Sequence, residues 1–559
     1  MKSDLEDLIS QGRYFEARSK AEEILKTSPH PRVKQLFALA TSKLGMPELA
    51  LEAIEAVYKQ SPEDIESAGI LGSIYKELFK KNQKTSFAVL SRDTYQKNFS
   101  VTQNYYTGIN AASMSAMAGQ AGKARETAAQ VIVLMEKEPS DFWELATLGE
   151  AYLLIKNKAK SVEYYVQARQ HAGNDWGKVT SVHNQLWLLN HYIPVPNEVM
   201  KLFAPPNVVA FSGHMIDQPG RSTPRFPQAI EPHVKDAIRH SIRTMNARIG
   251  YCSLACGSDI LFVESMIEVG GEVNLLLPFD KEDFIKTSLT FAGNHWVDRF
   301  NAIVENHPVN YVTSGRYGGN DELFSLLSRV IYGSAILRSE AAHSEPNLLT
   351  VLSEMDLKIK EGGTRDTIGR WPYPQRHINI NPDIFSSGVS MVSTATAPRV
   401  EFEKTSDKVL FLVYVGLDGI ATSEFYDIID KFNAPDALRV VADKSNEKSF
   451  VVSFESDPGA MEFVAYVRET LKPYKQENLI KLALHVGSVS IVDHKLTGQA
   501  IDDLREIGSH VTAGAIYASE WFTSILAMNN QTYYLHYAGV ITSKNDNTSR
   551  PFYNVELLR

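Results

Sequence analysis

The sequence predicts a multidomain chain of three successive fold classes: an all-α helical repeat array (1–200), an α/β doubly wound parallel sheet (201–385) and, after a linker (386–406), an α+β domain (407–559). Three observations carry this reading. A Gly–Ala–Pro pattern recurs in the first third, short apolar strands alternate with helical stretches in the middle, and strand, turn and helix signals of an antiparallel layout follow.

In the first region Gly12, Ala17 and Pro29 recur as Gly45, Ala50 and Pro62, each 33 residues on, and Gly119 with Ala124 repeats the first half. The glycine closes the turn between two helices. The alanine pairs (Ala17 and Ala21, Ala50 and Ala53, Ala124 and Ala128) lie on one helix face where a neighbour approaches closely. The proline stops the second helix. No such pair buries its own apolar face, so stacking makes the core. The period resembles that of tetratricopeptide repeats. "ESAGILGSIYKELF" with "RDTYQKNFSVTQNYYTGINAASMSAMAGQAGKA" (roughly 60–190) resembles the TRAF-binding regulatory region of apoptosis signal-regulating kinases and bacterial relatives. That resemblance implies a scaffold that binds a protein partner. It does not imply a kinase, because no Gly-rich loop with a paired Lys, and no HRD or DFG set, occurs.

"PPN" at 205–207 punctuates the end of the array. Buried strands are then expected at 207–213, 248–257, 272–279 and 347–354, separated by helical stretches, which argues for a parallel sheet. Such sheets bind ligands beyond the carboxyl ends of their strands. Three glycine corners fall there: Ser212, Gly213 and His214; "LACGSD" with Gly257 and Asp259; and "EGGTRD" with Gly362, Gly363 and Thr364, ahead of a helix containing Trp371. Glycines admit a phosphate to the backbone, and a following helix offers free N–H groups. The loop "GHMIDQPGRSTPRFP" adds Asp217, Arg221 and Arg225, and the two arginines suit phosphate clamping. Asp259 reads equally as a ribose contact or as a helix-start cap. Glu264, five residues later, need not face the same way. Cys252 and Cys256 read as small buried residues.

"SLACGSDILFVESMIEVGGEV", with Ser253, Ala255, Gly257 and Asp259, resembles the signature of the SLOG superfamily, which includes DprA and LOG-type nucleotide-processing enzymes. The resemblance covers about 205–375. It implies a Rossmann-like pocket for a nucleotide or nucleotide derivative. LOG-type enzymes carry a Glu beyond the glycine-threonine loop; here Arg365 and Asp366 follow at once, so the hydrolase pattern is broken or moved.

The last region, from "KVLFLVYVGLDG" to "HVTAGAIYAS", resembles the class III adenylyl/guanylyl cyclase homology domain over about 407–530. Aligned on that family, Val413 and Lys448 fall at the two metal-binding Asp positions, Asp502 at an Asn, and Glu506 at the Arg that stabilises the transition state, while Gly487 keeps a hairpin turn. Cyclisation needs carboxylates for Mg²⁺ and cations against phosphate charge. Val413 cannot ligate, Lys448 repels a metal and Glu506 repels a triphosphate. Asp418 reads as part of a turn. The module is expected to be catalytically inert and to serve dimerisation.

Over 559 residues, 44% hydrophobic and 22% charged with a net charge of -9, the chain carries no basic footprint for nucleic acid. Two cysteines make no disulfide framework, no metal site is read, and no apolar run approaches the roughly 20 residues of a membrane span. The N-terminus lacks an apolar signal-peptide core. These features give the expectation of a cytoplasmic signalling protein, a homodimer, that binds a nucleotide-derived ligand and a protein partner. Two alternatives stay open: hydrolysis of an N-glycosidic bond in NAD or another nucleotide, and an active cyclase. No cofactor beyond a nucleotide ligand is implied.

Overall fold

The repeated glycines close turns between paired helices. Gly12, Gly45 and Gly119 adopt φ of +74°, +81° and +76°, a region that L side chains rarely enter. The computed structural model describes residues 2–135, 139, 141–173, 175–221, 223–313, 315–353, 368–386, 402, 405–418, 420–432, 443–446, 448–474, 479–492, 495–529, 532–543 and 548–557. Its contacts separate two units, residues 1–205 with 537–549, and residues 206–536 with 550–559.

The first unit is a tetratricopeptide-like array of α1 (Lys2–Ser10), α2 (Tyr14–Thr27), α3 (Pro31–Lys43), α4 (Pro47–Gln60), α5 (Ile65–Asn82), α6 (Thr85–Thr102), α7 (Tyr105–Met117), α8 (Ala121–Leu134), α9 (Phe142–Leu154), α10 (Lys158–Ala172), α11 (Trp176–Asn190) and α12 (Asn197–Leu202). Ala17, Ala21, Ala50, Ala124 and Ala128 are buried between helices, as their spacing requires. Pro29 and Pro62 follow the ends of α2 and α4.

Two helix pairs are seated in the same way. A Cβ at Gly72 (α5) would stand 2.5 Å from the Tyr95 ring (α6), and one at Gly149 (α9) would stand 2.8 Å from the Tyr165 ring (α10). Four residues before each tyrosine, a serine hydroxyl donates to the glycine carbonyl: Ser91 to Gly72 at 2.7 Å and Ser161 to Gly149 at 2.8 Å. The missing side chain thus lets a large ring fill the interface at interior density.

A polar chain links the first helices of four pairs. Lys76 (α5) donates to the Gln185 amide oxygen (α11) at 2.7 Å, the Gln185 amide donates to Glu150 (α9) at 2.7 Å, and Ser113 (α7) also donates to Glu150. Burial lowers the Lys76 amine to about 8 and pushes the Glu150 carboxyl up.

In the second unit six strands, β1 (Asn207–Gly213), β2 (Ala247–Cys252), β3 (Glu272–Leu277), β4 (Val309–Tyr311), β5 (Asn347–Val351) and β6 (His377–Ile380), form a sheet in the order β4-β3-β2-β1-β5-β6. All five pairings are parallel. Helices α13 (Glu231–Thr244), α14 (Ser258–Glu268), α15 (Lys281–Ser288) and α16 (Asn294–Asn306) share one apolar cluster with one sheet face; α17 (Glu322–Glu340) packs in the cluster of the other. The strand expected at 248–257 stops at Cys252, because the chain must turn at Ser253 to enter α14. The short strands β4 and β6 were not anticipated. Trp371 lies just after a helical end at 368–369, outside that helix.

The rest of the unit is built on a mixed sheet in which β14, β12, β10, β7, β9 and β8 are neighbours in that order, with β11 on β10. Its strands are β7 (Lys408–Leu417), β8 (Asp443–Asn446), β9 (Ser449–Phe454), β10 (Ile480–Val492), β11 (Lys495–Thr497), β12 (Ile516–Ser519) and β14 (Ser549–Leu557), while β13 (Tyr533–Thr542) falls mostly within residues 537–549, which group with the first unit. β7 pairs antiparallel with β9 and β10, but β10 and β12 run parallel. Gly487 lies inside the long strand β10, not in a hairpin turn. A Cβ there would stand 2.7 Å from the Ala500 methyl, so the glycine makes room for the helix Gln499–His510.

Gly149→Leu is expected to destabilise the array by about 1–3 kcal/mol through overpacking against Tyr165. Gly122→Ala, whose added methyl meets nothing within 4 Å, is expected to leave stability unchanged or slightly raised. Urea unfolding of both variants checks the pair.

Candidate functional site

The chain reaches β1 first, builds β2, β3 and β4 outward on one side, then returns to place β5 and β6 on the other. The order reverses between β1 and β5, with Ser212 opposite Thr350 and Gly213 opposite Val351. Open parallel sheets hold ligands at such a reversal, outside the carboxyl ends of the strands.

The first and second corners interlock there. The Ser258 N–H and hydroxyl both donate to the His214 carbonyl, at 3.1 and 2.8 Å. A Cβ at Gly213 would stand 2.4 Å from the Ser258 hydroxyl oxygen, and one at Gly257 2.6 Å from the Ile216 nitrogen. Gly257 also takes φ +93°. Both glycines therefore serve close approach between corners, and the Ser258 N–H at the start of α14 is already bonded. The return from β5 joins them: the His214 N–H donates to the Val351 carbonyl at 3.0 Å, and the Ser353 N–H donates to His214 Nε2 at 3.1 Å. That bond makes Nε2 an acceptor and puts the neutral ring's proton on Nδ1. Gly362, Gly363 and Thr364 of the third corner, with Arg365 and Asp366, lie outside the described residues.

Asp259 stands in the first turn of α14 with 8% of its surface exposed, and accepts from the Ala255 N–H at 3.3 Å. Burial drives its carboxyl up to about 7, only partly offset by that bond. Cys252 and Cys256 are buried, and burial pushes both thiols up, Cys256 to about 12.

Tyr332, on α17, was missed from the sequence. It is fully buried, and its hydroxyl makes no well-formed hydrogen bond; Ser212 is its polar neighbour, near enough to act on the phenol. Its signal was a phenol beside a glycine in the largely apolar stretch "VIYGSAIL".

The arginine loop is organised internally. Asp217 accepts from the Arg225 and Phe226 N–H groups at 3.0 Å, the Arg221 guanidinium stands 3.5 Å from Asp217, and Arg221 Nε donates to the Thr223 carbonyl at 3.0 Å. Glu264 faces away from the corners' bonds, into an ion network with Arg299 and Lys235, at 2.8 Å from each.

In the mixed sheet Val413 is wholly buried, flanked by Leu484 on β10 and Val452 on β9. Lys448 is exposed just before β9, where its carbonyl accepts from the Leu417 N–H at 2.7 Å. The Asp418 N–H donates to the Leu479 carbonyl at 2.8 Å. Asp502 is exposed beside Arg505, and Glu506 is half-buried on the same helix. Among the described residues no group of three His, Cys, Asp or Glu side chains is placed to hold a metal ion.

A family model described as Tetratricopeptide Repeats-Sensor matches residues 13–115. No curated protein matches the chain. Similar solved structures include a thermophilic TPR protein of Thermus thermophilus (TM-score 0.28, 19% identity), which covers 34% of this chain and 100% of that one. A tetratricopeptide repeat protein from Parabacteroides merdae (TM-score 0.26, 10% identity) covers 36% and 81%. An adenylate/guanylate cyclase/hydrolase from Silicibacter pomeroyi (TM-score 0.23, 10% identity) covers 27% and 98%. Helix-turn repeats of this type suit a protein-interaction scaffold or regulatory role. Among the described residues no helix is long and apolar enough to cross a membrane.

Two outcomes follow for the corners. Gly257→Ala is expected to cost about 1–3 kcal/mol, from the positive φ and the clash with Ile216, read by urea unfolding. For Asp259, the folded value of about 7 lies above the ordinary carboxyl value of about 3.9. Burying its charge therefore costs nothing below about pH 4, more as pH rises toward 7, and a constant amount above. Relative to Asp259→Asn, the wild-type chain is expected to lose up to about 4 kcal/mol between about pH 4 and 8, measured as the difference in unfolding free energy.

Proposed function

We propose that the chain is a cytoplasmic regulatory protein that binds a nucleotide-derived ligand at the edge between β1 and β5 and a protein partner through its helical array. The observation that carries the ligand reading is the convergence of His214, Ser258, Asp259 and Ser353 at the strand-order reversal. The word "Sensor" in the family description over residues 13–115 agrees with this role. Ser212, Gly213, His214, Gly257 and Asp259 form the floor of the seat, and Arg221 and Arg225 stand on the loop that leaves it; Gly362, Gly363 and Thr364, expected from the sequence to join them, lie outside the described residues. The mixed-sheet region acts as a Rossmann domain's companion: a cyclase-like module without catalysis, since a buried valine at position 413 offers no metal ligand. Its remaining use is homodimerisation.

One observation favours a second reading. A carboxyl held up to about 7, as Asp259 is, suits a general acid near neutral pH, and so suits cleavage of an N-glycosidic bond in NAD or another nucleotide.

A panel of ATP, GTP, NAD, ADP-ribose and cyclic nucleotides, read by thermal shift and product chromatography, tests both. Binding without turnover, weakened about tenfold or more by Asp259→Ala as expected for loss of a hydrogen bond to a charged group, supports the sensor. Release of a free base or nicotinamide, lost in Asp259→Ala, selects the enzyme. No shift with any compound rejects both. Formation of cAMP or cGMP with Mg²⁺ or Mn²⁺ overturns the non-catalytic assignment of the mixed-sheet region. A single monomeric mass in light scattering overturns the homodimer.

A further inference from the structure

We infer that helix α17 carries the state of the β1/β5 edge into the mixed-sheet region, with Tyr332 as the residue that reads the edge. The inference rests on the reading above that a ligand occupies that edge.

Tyr332 lies against β1 on one side and Trp371 on the other. Val208 and Ala210 of β1 lie in the apolar cluster that contains Tyr332, and Ser212 is the next residue on that face of the strand. The phenol is fully buried, lacks a well-formed hydrogen bond and has Ser212 as its polar neighbour. Its ring meets Trp371 edge-on, with centroids 5.8 Å apart, and Trp371 follows the third corner in the chain. A buried hydroxyl without a good partner is poised to take one. A polar group arriving beside Ser212 supplies it, directly or by turning the Ser212 hydroxyl.

The next two residues of α17 face the other way. A Cβ at Gly333 would stand 1.7 Å from the Ser524 carbonyl oxygen, so the backbones of α17 and of the helix Glu520–Ala527 are in direct contact. The Ser334 and Ser524 hydroxyls bond at 3.0 Å. One turn earlier Arg329 pairs with Asp457 at 2.6 Å, at the start of the helix Asp457–Leu471, and Asp457 also accepts from the Asn529 amide at 2.8 Å. The apolar cluster runs unbroken from Val208 and Tyr332 to Phe522 and Ile525. Clamped at two points, α17 cannot shift along its neighbour without a backbone clash, so a displacement at Tyr332 is delivered to both helices. Close-packed interfaces transmit small shifts as discrete rearrangements for this reason.

Hydrogen exchange by mass spectrometry on the full chain tests the inference in two arms. In the first, compounds of the nucleotide panel are added. In the second, no ligand is used, and Ser212→Phe, with the smaller Ser212→Val, plants an apolar group at the edge. Exchange within 520–527 and 457–471 is expected to change by about fivefold or more, the low end of ordinary coupling between sites, and the change is expected to vanish in the Tyr332→Phe background. Tyr332→Phe keeps the ring and removes only the hydroxyl beside Ser212, so a purely structural phenol predicts an undiminished response. A nucleotide that binds while both helices stay unchanged overturns the coupling and leaves the ligand reading intact. No binding by any nucleotide, with a Tyr332-dependent response to either Ser212 variant, sinks the ligand reading and supports the coupling. Unchanged exchange with both Ser212 variants, or a response that survives Tyr332→Phe, overturns the coupling.

Discussion

The carbonyl of His214 organises the carboxyl edge of the parallel sheet. It accepts both the N–H and the hydroxyl of Ser258, which fixes the start of α14 against the end of β1. This is possible only because Gly213 and Gly257 leave no side chain in the gap. With the corners locked, the ring of His214 reaches the chain leaving β5, and three segments far apart in sequence share one small region. An apolar or β-branched residue at either glycine separates them. The glycines that suggested an open cradle instead close the two corners onto each other, with Ser258 filling the space at Gly213 and the Ile216 backbone the space at Gly257.

The burial of Asp259 follows from the same lock. Packed beneath the corner, its carboxyl retains one bond to a backbone N–H and little water. Desolvation then outweighs hydrogen bonding, and the group is poised between charge states near neutrality. Asp283 shows the opposite balance. It too is buried, but bonds to Arg316 and to the Tyr317 N–H hold its carboxyl down at about 2. The two acids differ in both respects: Asp259 is the more deeply embedded and has one backbone bond, while Asp283 lies nearer the surface beside a guanidinium.

Much of this organisation was legible in the residues. The Gly–Ala–Pro spacing located the helix turns because a positive φ and a close helix crossing each demand a particular small residue. β1 ran from Asn207 to Gly213 as expected, since an apolar run between PPN and a glycine has one economical reading. The short strands β4 and β6 escaped because three or four residues carry no usable period. Gly487 was misplaced because a glycine that admits Ala500 to a strand face looks, in sequence, like a glycine in a turn. Tyr332 escaped for a different reason: helical periodicity marks it as core, and only the fold reveals that its hydroxyl ends beside Ser212. Glu264, set aside for its phase on α14, pairs with Arg299 and Lys235.

The chain of bonds from Lys76 through Gln185 to Glu150 and Ser113 has a consequence for how the array can change over time. Solenoids ordinarily gain or lose a repeat at modest cost, since each unit touches only its neighbours. Here an amide on α11 is shared between a cation on α5 and an anion on α9. Insertion or deletion of one helix pair between them strands an amine and a carboxylate with no bridge. The bridge therefore ties α5, α9 and α11 together, and a change in repeat number within this stretch requires new partners for Lys76 and Gln185.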